Sequence, residues 1–230
     1  MKAKLYFLVL IISLYFSHSS KAEELIAVNV ALAVRGELEG KVKAINSELK
    51  SNNESSFSFD SEHFPHLTIL QFYTNKKQLD SFIRGLTVEN WRGLKLKVKD
   101  FETSPLEKDA SMKLLNLVFN KNGEITNLQK MIAFKSTLSR KPSGSKSAFA
   151  DPDVDQQFVK YVSEYIDKET GVNYSPHVTL GIVTKWDRDN SSIKPNEEFI
   201  FDEIIISQMG NYGTIRKVFK IIKLDAPHLK

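Results

Sequence analysis

The reading of this 230-residue chain turns on two short stretches, Phe64-Pro65-His66-Leu67-Thr68-Ile69-Leu70 and Ser175-Pro176-His177-Val178-Thr179-Leu180-Gly181. Both read Pro-His-aliphatic-Thr-aliphatic. With ten threonines in the chain, a given histidine has roughly a 4% chance of a threonine two places on, so two such pairs among five histidines are not an accident of composition. On a strand, side chains two apart face the same way. Each motif therefore presents an imidazole and a hydroxyl to one side, while Leu67 and Val178 turn the other way to anchor the strand in the core.

If the two strands lie side by side, four polar groups converge. Such a quartet suits phosphoryl chemistry: a neutral histidine takes a proton from the attacking group, and a protonated one gives a proton to the leaving oxygen. Hydroxyl donors on the non-bridging oxygens stabilise the charge of the transition state. Neither a covalent nucleophile nor a metal is required, and no cofactor is implied. His63 precedes His66 by three residues, but Pro65 and the β pattern after it argue against a helical metal pair, so His63 reads as a loop histidine. Pro227-His228-Leu229 lacks the threonine, and His18 lies in the N-terminal segment.

Working outward, Leu25 to Val34 is a buried strand by composition, followed by a charged helical pattern from about Gly36 to Lys50. Strands follow at His66 to Tyr73 and Leu94 to Phe101, with a helix at Lys77 to Leu86 between them. The second half repeats this grammar: a strand at Leu114 to Phe119, a helix at Glu124 to Leu138, a helix at Gln156 to Lys168, then strands at His177 to Val183, Phe199 to Gln208 and Arg216 to Leu224. Arg140 to Asp155 collects Pro, Gly, Ser and Lys and reads as a mobile loop. The turn Gly210-Asn211-Tyr212-Gly213 offers an aromatic for base stacking, as do Tyr174, Phe72 and Tyr73, and Lys141 and Lys146 offer charge to a phosphate. In each case packing within the fold or solvation is the commoner role. Two similar α+β or α/β lobes are expected.

The N-terminus carries Lys2 and Lys4, an apolar run from Leu5 to Phe16, and the small residues Ser20 and Ala22. The expectation is a signal peptide over residues 1–22, cleaved after Ala22, with a secreted or periplasmic product; an uncleaved anchor is the alternative. Removing Lys2, Lys4 and Lys21 leaves 29 basic against 28 acidic residues, so the formal +4 becomes +1. A basic track for long nucleic acid is not implied. The chain has no cysteine, which excludes disulfides, thiolate metal sites and a cysteine nucleophile. Residues 23–230 are long enough for one domain stabilised by its core alone.

The doubled motif resembles the 2H phosphoesterase superfamily, which includes 2′-5′ RNA ligase-like proteins and cyclic phosphodiesterases. Ile204 to Gly213 also resembles that family's penultimate strand and turn. The resemblance implies an α+β fold of two lobes, each an antiparallel-rich sheet with helices outside, around a central cleft that receives one motif from each lobe. It implies His66 and His177 as the acid/base pair, without deciding which is which, and Thr68 and Thr179 as phosphate ligands. The expected activity is metal-independent hydrolysis of 2′,3′-cyclic nucleotides, RNA-terminal cyclic phosphates or 2′-5′ phosphodiesters by a monomer without stable membrane insertion after cleavage. An exported nucleotide- or RNA-end-binding module without turnover, and a ligase-like activity, are the alternatives. The spacing of 111 positions from His66 to His177 and the export signal depart from the family's smaller members.

Overall fold

The computed structural model describes residues 23–60, 63–86, 91–106, 109–188 and 191–225. The expected signal peptide, His18 and Pro227-His228-Leu229 lie outside these residues. The strands are β1 (Leu25–Ala33), β2 (His66–Asn75), β3 (Leu94–Leu106), β4 (Asp109–Phe119), β5 (His177–Val183), β6 (Glu198–Phe201), β7 (Glu203–Met209) and β8 (Ile215–Lys223). The helices are α1 (Gly36–Asn52), α2 (Lys76–Gly85), α3 (Gly123–Ser136) and α4 (Gln156–Lys168). Side chains of Asn75, Asn122 and Asp155 cap the last three by accepting a backbone N–H of the first turn.

The strands form one sheet in the order β6-β3-β4-β5-β2-β1-β7-β8, antiparallel throughout. It divides into two four-stranded halves that meet at β2 and β5, where Leu67 pairs with Val178. Both side chains are fully buried. The helices cross over this seam: α1, which follows β1, packs against β5, whereas α3 and α4, which follow β4, pack against β2. Each half is thus held by the other half's helices, over one large core that runs from Val28 to Leu224.

Two expectations are corrected. The single strand expected at Phe199 to Gln208 is two strands broken at Asp202, β6 pairing with β3 in one half and β7 with β1 in the other. Apolar residues continue through the break, so composition conceals it. Because one residue links strands near opposite ends of the sheet, the sheet must curl until those ends meet. Backbone bonds from Gly93 N to Asp225 O (2.7 Å) and from Asp225 N to Trp91 O (3.0 Å) fasten them. The stretch Arg140 to Asp155 is packed rather than loose: Ala148, Phe149 and Val154 are buried, and Ala150 N donates to Met209 O (2.8 Å). Gly144 lies flat on the Tyr73 ring, with no room for a Cβ. The glycine in this polar stretch is what lets it pack against that ring. Tyr73 and Phe72 are core residues, the Tyr73 hydroxyl donating to Val159 O (3.0 Å).

Leu67 sits at the seam with no room for water, so Leu67→Ala should destabilise the fold by about 2–5 kcal/mol. Urea denaturation followed by far-UV circular dichroism measures it.

Candidate active site

The two motif strands are built alike. Pro65 and Pro176 stand at the strand entrances, where a residue without an N–H costs no ladder bond. Their carbonyls accept Val34 N (3.2 Å) and Phe119 N (2.8 Å), which carries the neighbouring ladders one step past the strand ends. The carbonyls before the prolines turn back onto the imidazoles: Phe64 O accepts from His66 Nδ1 and Ser175 O from His177 Nδ1, both at 2.8 Å. A carbonyl can only accept, so each Nδ1 carries a hydrogen and each Nε2 is left for chemistry.

Beyond each threonine the ladder slips by one residue. Ala31 and Val30 face Thr68 and Leu70, and Asn116 and Leu115 face Thr179 and Gly181, so Ile69 and Leu180 are the extra residues of matching bulges. The slip returns Gln71 and Ile182 to the side of His66/Thr68 and His177/Thr179. The carbonyl of each extra residue is taken by an amide from the helix that crossed the seam. Asn46 of α1 donates to Leu180 O (2.8 Å) and Gln129 of α3 to Ile69 O (3.4 Å). The same amides hold the segments leading into the motifs: Asn46 bonds Phe57 O (3.0 Å) and Phe59 N (2.8 Å), and Gln129 bonds Glu169 O (3.3 Å) and Gly171 N (3.0 Å).

The antiparallel Leu67–Val178 pair places His66 across from Thr179 and Thr68 across from His177, with the imidazoles on the diagonal. Diagonal neighbours stand roughly 7–8 Å apart, which leaves space for a phosphodiester between them. All four line one cleft of about 590 Å³. Its aromatic lining includes Phe57, Phe59 and Phe64 from the segment before β2, and Phe158, Tyr161 and Tyr165 from α4. Burial pushes the phenols of Tyr161 and Tyr165 up, so they stay protonated.

The halves differ where chemistry would need them to. Asn29 of β1, fully buried, places Nδ2 3.2 Å from His66 Nε2 and 3.3 Å from Gly213 O. Its counterpart in the other half is Leu114. Thr179 donates to Asn116 Oδ1 (2.9 Å), which in turn donates through Nδ2 to Ser104 Oγ (3.1 Å); at the matching place beside Thr68 stands Ala31, which offers no side-chain bond. Burial, and to a lesser degree the nearby His177, pull the His66 pKa down against the bond to Phe64 O, so His66 is neutral at neutral pH. Asn29 Oδ1, Gln71 Oε1 and Ser207 Oγ are buried in this half without a hydrogen-bond partner among the described residues.

His63 and Tyr212 also line the cleft, although sequence spacing marked neither as a site residue. His63 bonds Asp60 through Nδ1 (3.0 Å). Tyr212 is 55% exposed and held in left-handed backbone (φ 54°) between Asn211 and Gly213, with Asp151 and Asp153 bonded to Asn211. Tyr174 is buried and donates to Thr68 O (2.9 Å), a structural role. Lys141 pairs with Glu23, and neither it nor Lys146 lines the cleft. Among the described residues no group of three or more His, Asp or Glu side chains is placed to hold a metal.

No protein-family model matches the sequence, and no curated protein is similar enough to align with it. Solved structures do match in fold. TT0787 of Thermus thermophilus superposes with a TM-score of 0.53 at 11% identity, over 88% of this chain and all (100%) of the other. E. coli LigT, crystallised with 3′-AMP, gives a TM-score of 0.49 at 13% identity, over 87% and 98% of the two chains. These structures are members of the 2H phosphoesterase superfamily. The chain has the fold of TT0787, a curled antiparallel sheet with helices outside, and in this chain one His-x-Thr motif comes from each half.

Two outcomes follow. Gln129→Leu leaves Ile69 O and Gly171 N unpaired inside the protein and should cost about 1–3 kcal/mol in urea denaturation. The folded His66 titrates below its unfolded value of about 6.5, so between the two the unfolded state binds a proton that the native state does not. His66 therefore contributes stability that is complete above pH 6.5 and is lost as pH falls through the folded pKa. The stability of the wild type relative to His66→Gln should fall between pH 8 and pH 5; a constant difference contradicts this.

Proposed function

We propose that the protein is a metal-independent phosphodiesterase that opens 2′,3′-cyclic phosphates of nucleotides or RNA ends, or cleaves 2′-5′ phosphodiesters, outside the cytoplasm. The observation that carries the reading is the diagonal pair of imidazoles, each held through Nδ1 by the carbonyl two residues back, with a threonine opposite each. In the free protein His66 is neutral and its Nε2 faces the Asn29 amide. It is assigned the general base. Water enters the cleft, displaces that contact and passes its proton to His66 Nε2 as its oxygen bonds to phosphorus. Protonated His177 gives its Nε2 proton to the ribose oxygen as the P–O bond breaks. Thr68 donates to a non-bridging oxygen; Thr179 does the same when its hydroxyl turns from Asn116.

The lining favours a ligand with a single phosphate. Among the described residues no lysine or arginine faces the cleft, and Glu102, Asp155 and Glu169 border it. A polyanion tracked along a groove would meet no counter-charge there, whereas a cyclic phosphate bears one charge, and its base can lie on the aromatic walls. Export rests on the N-terminal pattern of Lys2, Lys4 and the apolar run Leu5 to Phe16.

His66→Ala and His177→Ala should each reduce turnover of a 2′,3′-cyclic mononucleotide by at least about 10². The wild-type rate should persist in excess chelator. A rate abolished by chelator and restored by a divalent ion would overturn the mechanism. Tight binding of the nucleotide with no product by chromatography would assign the cleft to recognition alone.

A further inference from the structure

Three large apolar side chains are far more exposed than any other among the described residues: Phe134 (80%), Leu138 (89%) and Val172 (90%). Phe134 is on α3, Leu138 in the turn that follows it, and Val172 in the short turn Gly171–Asn173. Phe134 and Leu138 stand one turn apart at the C-terminal end of α3, so they share a face. Val172 lies beside its first half, fixed there because Gly171 N donates to Gln129 of α3 and Lys121 Nζ donates to Val172 O (2.8 Å). Soluble surfaces carry exposed apolar residues singly; a row of them signals a contact.

The surroundings of the row are cationic. Lys77 and Arg84 of the neighbouring α2, Lys121 before α3, and Lys130 and Lys135 on it have no ion-pair partner among the described residues. The α3 segment has one acid, Glu124, against Lys130 and Lys135. The chain also enters the fold at this edge. Glu23 bonds Asn75, the cap of α2, and pairs with Lys141, while Thr74 Oγ1 donates to Ser139 O (2.6 Å), next to Leu138. Glu23, the residue that follows the N-terminal 22 with their three lysines and apolar run Leu5 to Phe16, thus sits at the Leu138 end of the row.

We infer that this α2–α3 face is a docking surface for an anionic lipid bilayer, with Phe134 and Leu138 entering the interface and the surrounding lysines and Arg84 meeting acidic headgroups. Apolar side chains set among cations on one helical face are the chemistry of interfacial binding, and charge complementarity selects acidic lipid over neutral lipid. Among the described residues no helix is long and apolar enough to cross a membrane, so the contact is one of surface residues. It does not involve the catalytic cleft, whose motif side chains leave the sheet on the side opposite the core that α3 covers.

Among the described residues every strand and every core residue lies between Leu25 and Leu224, so a chain beginning at Glu23 keeps these elements and removes the apolar N-terminal run from the comparison. That chain should float with vesicles of phosphatidylcholine mixed with phosphatidylglycerol and not with phosphatidylcholine alone, and binding should weaken as salt is raised. Phe134→Ser with Leu138→Ser should lower the bound fraction at least tenfold, and Arg84→Glu with Lys130→Glu should lower it on acidic vesicles. The melting temperature and turnover in the cleft should stay unchanged in both. Equal flotation of wild type and Phe134→Ser/Leu138→Ser would overturn the proposal, as would failure of the wild type to bind acidic vesicles. A concentration-dependent dimer that the serine variant dissolves, without vesicle binding, would assign the face to a second copy of the chain.

Discussion

A single backbone pair, Leu67 with Val178, is the constraint on which the rest depends. It joins the halves of the sheet at the middle residue of each motif, so the register that buries these two side chains also fixes the four flanking polar groups around one space. A slip of one residue in either strand would turn that strand's imidazole into the core and its aliphatic anchor into the cleft. The seam is narrow, and its stability comes from elsewhere. α1 from one half covers β5, α3 and α4 from the other cover β2, and the Asp202 link with its Gly93 and Asp225 bonds closes the far ends.

The pseudo-symmetry places two like histidines in unlike surroundings. Proline before each imidazole, a carbonyl on each Nδ1, a bulge after each threonine and an amide on each bulge carbonyl are common to both halves. What differs is the neighbouring strand. Asn29 stands where the other half has Leu114, and Ala31 where it has Asn116. Those exchanges give one histidine a buried amide and the other half a tethered threonine, and general acid/base chemistry needs this division of roles.

The motifs were legible because the two-residue period of a strand and the chemistry of imidazole and hydroxyl are local properties. His66, Thr68, His177 and Thr179 lie together as the spacing implies, and the elements around them fall near the expected boundaries. Asn29, Asn46, Asn116 and Gln129 were not legible. Each acts on a residue at least 37 positions away, and an amide in a strand or helix has no local signature. The break at Asp202 hides within a continuous apolar run, and the packing of 140–155 depends on a tyrosine ring from β2. The proline before each motif is the one local hint of the carbonyl that orients the ring.

The central claim is that His66 and His177 act on one phosphodiester as base and acid. The most direct measurement is the pH dependence of kcat/KM for a 2′,3′-cyclic mononucleotide, in chelator, for the wild type and for each histidine variant. The account predicts a bell-shaped wild-type profile whose acid limb lies below the ordinary histidine range, because burial keeps His66 neutral. His66→Ala should lose that acid limb, whereas His177→Ala should keep it while turnover falls by at least about 10². A His66→Ala variant that keeps the acid limb, or a His177→Ala variant that loses it, would contradict the account.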